Sequence, residues 1–180
     1  MSVDMQDIID YWQNDLYKYP ANLFDNESIS LSTQNFLCEV GLPINKDDLF
    51  IQFWPIDTKF TKVTINDFEF VILGDDYGTN ICLNIKDNTI ISIDPKGELL
   101  PCFINSNIRL LLIFLYSIHQ ISNAISALLE NGMPHNEVDK KADELGAKVI
   151  QQLSILDPKA FDNEENYWPS GFDLSPEKWT

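Results

Sequence analysis

The segment from residue 68 to residue 94 constrains the fold of this chain more than any other stretch. It contains three runs of six residues that are rich in Ile, Val and Phe, at 68–73, 80–85 and 89–94. Short breaks rich in Gly, Asp and Asn separate them, as is typical of turns between consecutive antiparallel strands. The sequence therefore predicts an antiparallel meander at this point.

The middle run alternates between two kinds of side chain. One face carries Ile81, Leu83 and Ile85, and the other carries Asn80, Cys82 and Asn84. Such alternation predicts a sheet with one face packed on a core and the other face exposed to water. Pro95 and Gly97 favour a turn directly after the third run.

The remaining chain is expected to cover the packed face of this sheet. Hydrophobic spacing, capping residues and the positions of Gly and Pro predict helices over 4–18, 32–41, 108–130 and 136–156, and further strands over 49–54, 60–65 and 99–103. Asn66-Asp67 is predicted to form a two-residue hairpin turn. Aromatic residues in the tail, 159–180, indicate that it packs on the body. The fold class predicted is α+β, an antiparallel meandering sheet flanked by helices, in one domain spanning 1–180.

The charge balance restricts the kind of partner. The 180 residues contain 28 acidic and 12 basic side chains, which gives a formal net charge of −16. Such an acidic surface disfavours nucleic acid and anionic membranes and favours a basic protein. The alternative is that the acidity serves only to keep the protein soluble.

Cysteine usage and hydropathy predict a cytoplasmic protein. Cys38, Cys82 and Cys102 lie far apart and form no metal-binding spacing, which favours reduced thiols. The N-terminal residues carry aspartates and no basic residue before an apolar run, unlike a signal peptide. The most apolar segment, 110–116, is too short to cross a bilayer.

A search for catalytic groups favours a binding protein over an enzyme. His119 falls inside an apolar helix, where a hydrogen-bonded core histidine is the usual role. Cys82 has no base beside it that would activate a nucleophile. Asp75 and Asp76 lie between Gly74 and Gly78, where aspartates commonly form turns. No catalytic residue, metal site or cofactor is therefore predicted.

Several short motifs occur together in one known family. They are FLCEVGLP at 36–43, FVILG at 70–74, NICL at 80–83, IISID at 90–94, FINS at 103–106, DPKAF at 157–161 and YWP at 167–169. In this order the chain resembles the SUKH superfamily of bacterial immunity proteins, most nearly its fourth subfamily. The resemblance implies an α+β fold without catalytic residues that binds and neutralises a polymorphic toxin, often a nuclease or a deaminase.

Two rival functions stay open at this stage. One is a protein-interaction scaffold of the same superfamily, which the sequence does not separate from an immunity protein. The other is a small acidic enzyme that uses Asp75, Asp76 and His119, and the lack of a nucleophile and base pair argues against it.

A basic partner is expected to meet acidic residues that steer it and aromatic residues that anchor it. Two sets offer both. The first, at strand ends and turns, is Trp54, Asp57, Asp75, Asp76 and Tyr77; the second, in the tail, is Asp162, Glu164, Glu165, Tyr167 and Trp168. The first set is preferred, because a hairpin tip can enter a cleft while the tail aromatics are needed for packing.

Overall fold

The computed structural model describes residues 3–25, 27–44 and 49–171. Its helices are α1 (Met5–Trp12), α2 (Leu31–Glu39), α3 (Ile108–Glu130), α4 (His135–Leu156) and α5 (Tyr167–Gly171). Its strands are β1 (Leu16–Tyr17), β2 (Leu42–Pro43), β3 (Gln52–Phe53), β4 (Lys62–Ile65), β5 (Phe68–Asp75), β6 (Asn80–Asn84), β7 (Ile90–Ile93) and β8 (Cys102–Asn105). The mixed fold, a curled antiparallel sheet flanked by helices, is the predicted one.

The main sheet has the order β3-β5-β6-β7-β8, and β4 pairs with β5 beside β3. All of its pairings are antiparallel, which confirms the meander. Asn66 and Asp67 join β4 to β5 with φ angles of 49° and 66°. Positive φ at both positions is the geometry of the two-residue hairpin turn that the sequence predicts.

Two irregularities in strand register bend the sheet. Leu73 is an extra residue between Ile72 and Gly74 in the pairing of β5 with β6. Ile104 is likewise extra between Phe103 and Asn105 in the pairing of β8 with β7. Such bulges increase local twist and curl a sheet around whatever packs on it.

Helix α3 fills the inside of the curled sheet. Most of its N-terminal half is buried, and Leu111, Leu112 and Phe114 are fully enclosed. The helix has the predicted bounds, and Asn107 caps it by accepting a hydrogen bond from the Leu110 N–H at 3.0 Å. By length and composition alone α3 could cross a membrane, but half of its most apolar window is buried inside the fold. That burial is typical of the core helix of a globular protein.

The prediction of one solvent-exposed sheet face is wrong. Cys82 is fully buried, and Asn84 is only 9% exposed. Cys82 belongs to a second apolar cluster with Phe70, Ile72 and Ile93 on the face away from α3. The alternation within β6 missed this cluster because β5 and β7 place apolar residues beside Cys82 on that face.

The N-terminal helix is shorter than the predicted 4–18. Helix α1 ends at Trp12, and Leu16–Tyr17 forms strand β1 instead, paired with Leu42–Pro43 of β2. Gly41 makes this pairing possible, since a Cβ there would lie 2.2 Å from the carbonyl oxygen of Tyr17. Tertiary pairing therefore overrides the helical spacing of Leu16 and Tyr17.

Other predicted bounds shift by a few residues. Helix α2 starts at Leu31 rather than residue 32, with Ser30 as its cap, and α4 starts at His135 rather than residue 136. Strand β3 covers two residues of the predicted 49–54, and β4 covers four of the predicted 60–65. The last strand begins at Cys102 instead of residue 99, because residues 94–101 form a loop.

Tail packing is confirmed for the part that the structure describes. Trp168 is 2% exposed and lies 5.2 Å from the Phe114 ring of α3, centroid to centroid. The Phe161 ring lies 5.9 Å from the same ring. The tail residues 172–180 lie outside the described residues.

Candidate partner-binding site

One end of the main sheet gathers three separate chain segments. The β5–β6 turn, residues 75–79, lies there because Asp75 pairs with Asn80, which in turn pairs with Ile93 at the end of β7. The β7–β8 loop, residues 94–101, therefore leaves the sheet at the same end. The third segment, residues 162–168, reaches it through Cys102, whose thiol donates to the Glu165 carbonyl oxygen at 3.2 Å.

The two aspartates of the β5–β6 turn organise its backbone. Asp75 Oδ1 accepts a hydrogen bond from the Tyr77 N–H at 3.0 Å. Asp76 Oδ1 accepts from both the N–H and the hydroxyl of Thr79, each at 2.8 Å. Both residues are therefore turn formers, as their position beside glycines indicates, and both stay partly exposed.

Tyr77 occupies the tip of this turn in an uncommon conformation. Its φ is 66°, in the left-handed region that bulky residues rarely adopt. Its side chain is 71% exposed, and its hydroxyl accepts a hydrogen bond from Gln52 Nε2 at 2.8 Å. A large aromatic ring is thus held outside the fold at a position where glycine would be less strained.

The two predicted sets meet at a single contact. The Tyr167 hydroxyl lies beside the Asp76 carboxylate, so the tail and the hairpin tip adjoin. Burial, together with the Asp76 charge, raises the pKa of Tyr167 far above its usual value and keeps the hydroxyl protonated as a donor. The Phe50 ring stacks on the Tyr167 ring at 6.3 Å.

The other tail residues divide into exposed and buried ones. Asp162, Glu164 and Glu165 are exposed beside the tip and can face a partner. Trp168 is buried, so a partner cannot contact its ring without opening the core. Its ring packs edge to face on the Tyr167 ring, with the centroids 5.3 Å apart.

Trp54 and Asp57 lie along the β3 edge rather than at the tip. Trp54 is 38% exposed, and its N–H donates to the Leu73 carbonyl oxygen at 3.0 Å. Asp57 is exposed and accepts a short hydrogen bond from the Tyr17 hydroxyl. Burial is the main cause that raises the pKa of Tyr17 to about 12, and the hydrogen bond to Asp57 and the charge of Asp57 add to it. Trp54 can therefore border the same surface, whereas the structure connects Asp57 to β1.

A buried network fixes the third segment to the sheet. Asp157, which is 2% exposed, accepts hydrogen bonds from Asn105 Nδ2 at 3.1 Å, Ser106 N at 2.8 Å and Ser106 Oγ at 2.7 Å. Asn105 Oδ1 in turn accepts from Trp168 Nε1 at 3.2 Å. Three motifs that look unrelated in sequence, at 103–106, 157–161 and 167–169, thus form one cluster.

The residues of the enzyme alternative lie in different places. His119 is 6% exposed, and its Nδ1 shares a 2.6 Å hydrogen bond with the Tyr11 hydroxyl of α1. Burial raises the pKa of Cys82 to about 12, which is unfavourable for a nucleophile. Asp76, in contrast, contacts Tyr167 and Thr79 at the sheet end. Among the described residues, no group of three or more His, Cys, Asp or Glu side chains is arranged to hold a metal ion.

Sequence reasoning missed two exposed residues at this end of the sheet. Leu99 and Leu100 are 66% and 88% exposed in the β7–β8 loop, where a strand was expected. Pro95, Gly97 and Pro101 were the available signal, because they interrupt regular strand pairing on both sides of the two leucines.

Comparison with known proteins identifies the family. The model of the SUKH-4 immunity protein family matches residues 13–173, which span nearly all of the described structure. No curated protein and no solved structure gives a significant match. The chain belongs to the SUKH-4 immunity protein family, whose function is toxin immunity.

Proposed function

We propose that this protein protects the cytoplasm of its own cell by binding a cognate toxin of the nuclease or deaminase type. The acidic end of the sheet occupies the basic active-site cleft that otherwise receives the toxin's substrate. The observation that carries this proposal is that the hairpin tip and the tail acids share one end of the sheet, where the Cys102 thiol donates to the Glu165 carbonyl oxygen and Tyr167 lies beside Asp76.

Charge supports a basic partner for this surface. Arg109 is the only arginine in a chain with a net charge of −16, so long-range attraction favours a positively charged protein. A toxin that acts on nucleic acid needs positive charge in its cleft to bind phosphates. Carboxylates at a protruding tip can occupy such a cleft and block access by steric and electrostatic means.

Backbone strain at Tyr77 gives the tip a second property. A bulky residue with positive φ is tolerated only where surrounding contacts impose it, and such strain is concentrated at functional positions. An aromatic ring held in advance loses little conformational entropy when it binds. Tyr77 is therefore the aromatic anchor within the first set, and Asp75 and Asp76 provide the steering charge.

Free thiols support the cytoplasmic location. The structure leaves Cys38, Cys82 and Cys102 unpaired with one another, and Cys82 is fully buried. Reduced cysteines of this kind are usual in a reducing compartment.

The test uses the toxin encoded by the gene adjacent to that of this chain. Replacing Asp75 and Asp76 by Asn keeps an oxygen for the turn but removes two charges. We expect the association rate at low salt to fall about threefold or more, and its dependence on salt to weaken. The matched control is Asp139→Asn with Asp143→Asn, which removes two exposed charges from α4.

Two results would contradict the proposal. If the wild-type protein neither binds this toxin nor protects cells that express it, the immunity assignment for this partner is wrong. If the control pair lowers the rate as much as the Asp75 and Asp76 pair, net charge rather than this surface steers the toxin.

A further inference from the structure

The β7–β8 loop has a fixed backbone although it contains no regular secondary structure. Asp94 Oδ1 accepts from the Lys96 N–H at 2.9 Å, and Oδ2 accepts from the N–H groups of Glu98 and Leu99 at 2.8 and 3.0 Å. The Gly97 N–H donates to the Asp94 carbonyl oxygen at 3.1 Å. One carboxylate therefore determines the path of the loop up to Leu99.

This rigid loop presents two apolar side chains to water. Leu99 is 66% exposed and Leu100, the next residue, is 88% exposed. Burying a leucine side chain is favourable, so two adjacent exposed leucines favour covering by another molecule. A single exposed leucine would be unremarkable, but this pair lies at the same end of the sheet as the exposed ring of Tyr77.

Tyr77 and the leucine pair are close enough to lie within a single interface. The β5–β6 turn and the β7–β8 loop are two strand spacings apart, about 10 Å. The Thr79 and Ser92 hydroxyls are in direct contact and connect the base of the turn to β7. A standard interface covers roughly 800 Å² on each partner, enough to include Tyr77 and both leucines.

Local charge identifies the occupant. The three segments at this end, 75–79, 94–101 and 162–168, contain seven acidic residues and one basic residue, Lys96, for a formal charge of −6. Two copies of this surface would repel each other, whereas a basic protein would be attracted. An apolar centre with a charged rim is the usual organisation of a specific protein interface.

We infer that Leu99 and Leu100 are the apolar anchor of the toxin interface. The loop inserts the leucine pair into an apolar spot beside the toxin's basic cleft, while Asp75, Asp76 and the tail acids face the cleft itself. This inference rests on the proposed function and identifies which residues hold the complex together after the charges have steered it. Charges then govern association, and the leucines govern dissociation.

The first experiment replaces both leucines by serine and measures binding to the purified toxin encoded by the adjacent gene. Loss of a buried anchor pair is expected to raise Kd about 30-fold, mainly through faster dissociation. The matched control is Leu31→Ser, because Leu31 is 70% exposed at the start of α2. Helix α2 lies at the opposite end of the sheet, next to Asn88 of the β6–β7 turn. The control is expected to change Kd less than about threefold.

A second variant tests the role of the loop backbone. Asp94→Ala keeps both leucines but removes the acceptor of three backbone hydrogen bonds. A loop that must be ordered on binding loses affinity, so we expect Kd to rise about tenfold with the leucines still present. Thermal unfolding of each variant checks that the fold is retained.

The outcomes separate this inference from the proposed function. If the wild-type protein does not bind the toxin, both are overturned. If the wild-type protein binds but the Leu99 and Leu100 double variant binds within about threefold of it, only the anchor is overturned. If sedimentation shows a wild-type dimer that the double variant loses while toxin affinity is unchanged, the leucines bind a second copy and the inference is also overturned.

Discussion

Removing the Asp157 carboxylate tests the network that fixes the candidate surface to the sheet. In Asp157→Ala, Asn105 Nδ2, Ser106 N and Ser106 Oγ all lose their acceptor. Asn105 is fully buried, so its amide bears the whole cost of an unsatisfied donor, about 1–3 kcal/mol. Ser106 is partly exposed, so each of its two donors adds about 1 kcal/mol. We expect the free energy of unfolding to fall by about 3–5 kcal/mol.

Urea titration followed by tryptophan fluorescence measures this loss, and thermal unfolding provides a second estimate. At this chain length, each kcal/mol corresponds to about 2–4 °C in Tm, so the midpoint should fall by roughly 10 °C. Asp157→Asn should recover less than half of the loss, because its amide NH₂ would face other donors. The exposed Asp143→Ala on α4 is the control and should stay within about 0.5 kcal/mol of the wild type. An Asp157→Ala protein within 1 kcal/mol of the wild type would refute the reasoning.

The remaining predictions concern the core, the thiols and the tip. Leu83→Ala and Leu112→Ala, both at fully buried positions, should each lower the free energy of unfolding by about 2–5 kcal/mol in urea titrations, and wild-type midpoints would contradict the packing of α3 on the sheet. Cys82, with its pKa raised to about 12 by burial, should stay unreactive towards a thiol reagent at pH 9 while the partly exposed Cys102 reacts, which mass spectrometry can follow. Tyr77→Asn should leave the free energy of unfolding unchanged or about 1 kcal/mol higher, since Asn tolerates positive φ, yet weaken toxin binding; equal loss of stability and affinity would contradict the anchor role.

Local sequence patterns predicted the elements whose form depends on near neighbours. The strand runs from 68 to 94 and helix α3 are examples, because β propensity, turn residues and a cap act over a few positions. Strand β3 is different, because its length is determined by where strand β5 approaches it. A Cβ on Gly74 would lie 2.0 Å from the Gln52 carbonyl oxygen, so this close crossing is a tertiary event that no local pattern reveals.

The candidate residues were predictable as types but not as an arrangement. Acidic and aromatic composition identified both sets, yet sequence alone treated the hairpin tip and the tail as alternatives. They meet because Asp157 and Trp168 bind Asn105 and Ser106 at the end of β8, and this brings Tyr167 to Asp76. That depends on contacts between residues far apart in the chain. Burial of Trp168 and exposure of Leu100 follow from the same packing.

The aspartates at the sheet end each perform two functions, and their chemistry allows the functions to be separated. Asp75, Asp76 and Asp94 accept backbone hydrogen bonds that shape two loops, and each also adds negative charge to the surface. The N–H of Lys96, with those of Glu98 and Leu99, lowers the pKa of Asp94, so its contribution to the loop is fully present above the unfolded pKa near 3.9 and is lost as the pH falls through the lower folded value.

Lowering the pH should therefore weaken steering by charge before it changes the shape of the Asp94 loop. As the pH falls, the negative charge of the surface decreases and steering by charge weakens, while the lowered pKa of Asp94 keeps its carboxylate ionised and the loop in shape. The association rate should then fall before the dissociation rate rises, because charge governs the first and the ordered leucine pair governs the second. A dissociation rate that rises together with the loss of association, well above the folded pKa of Asp94, would mean that the loop does not hold the complex.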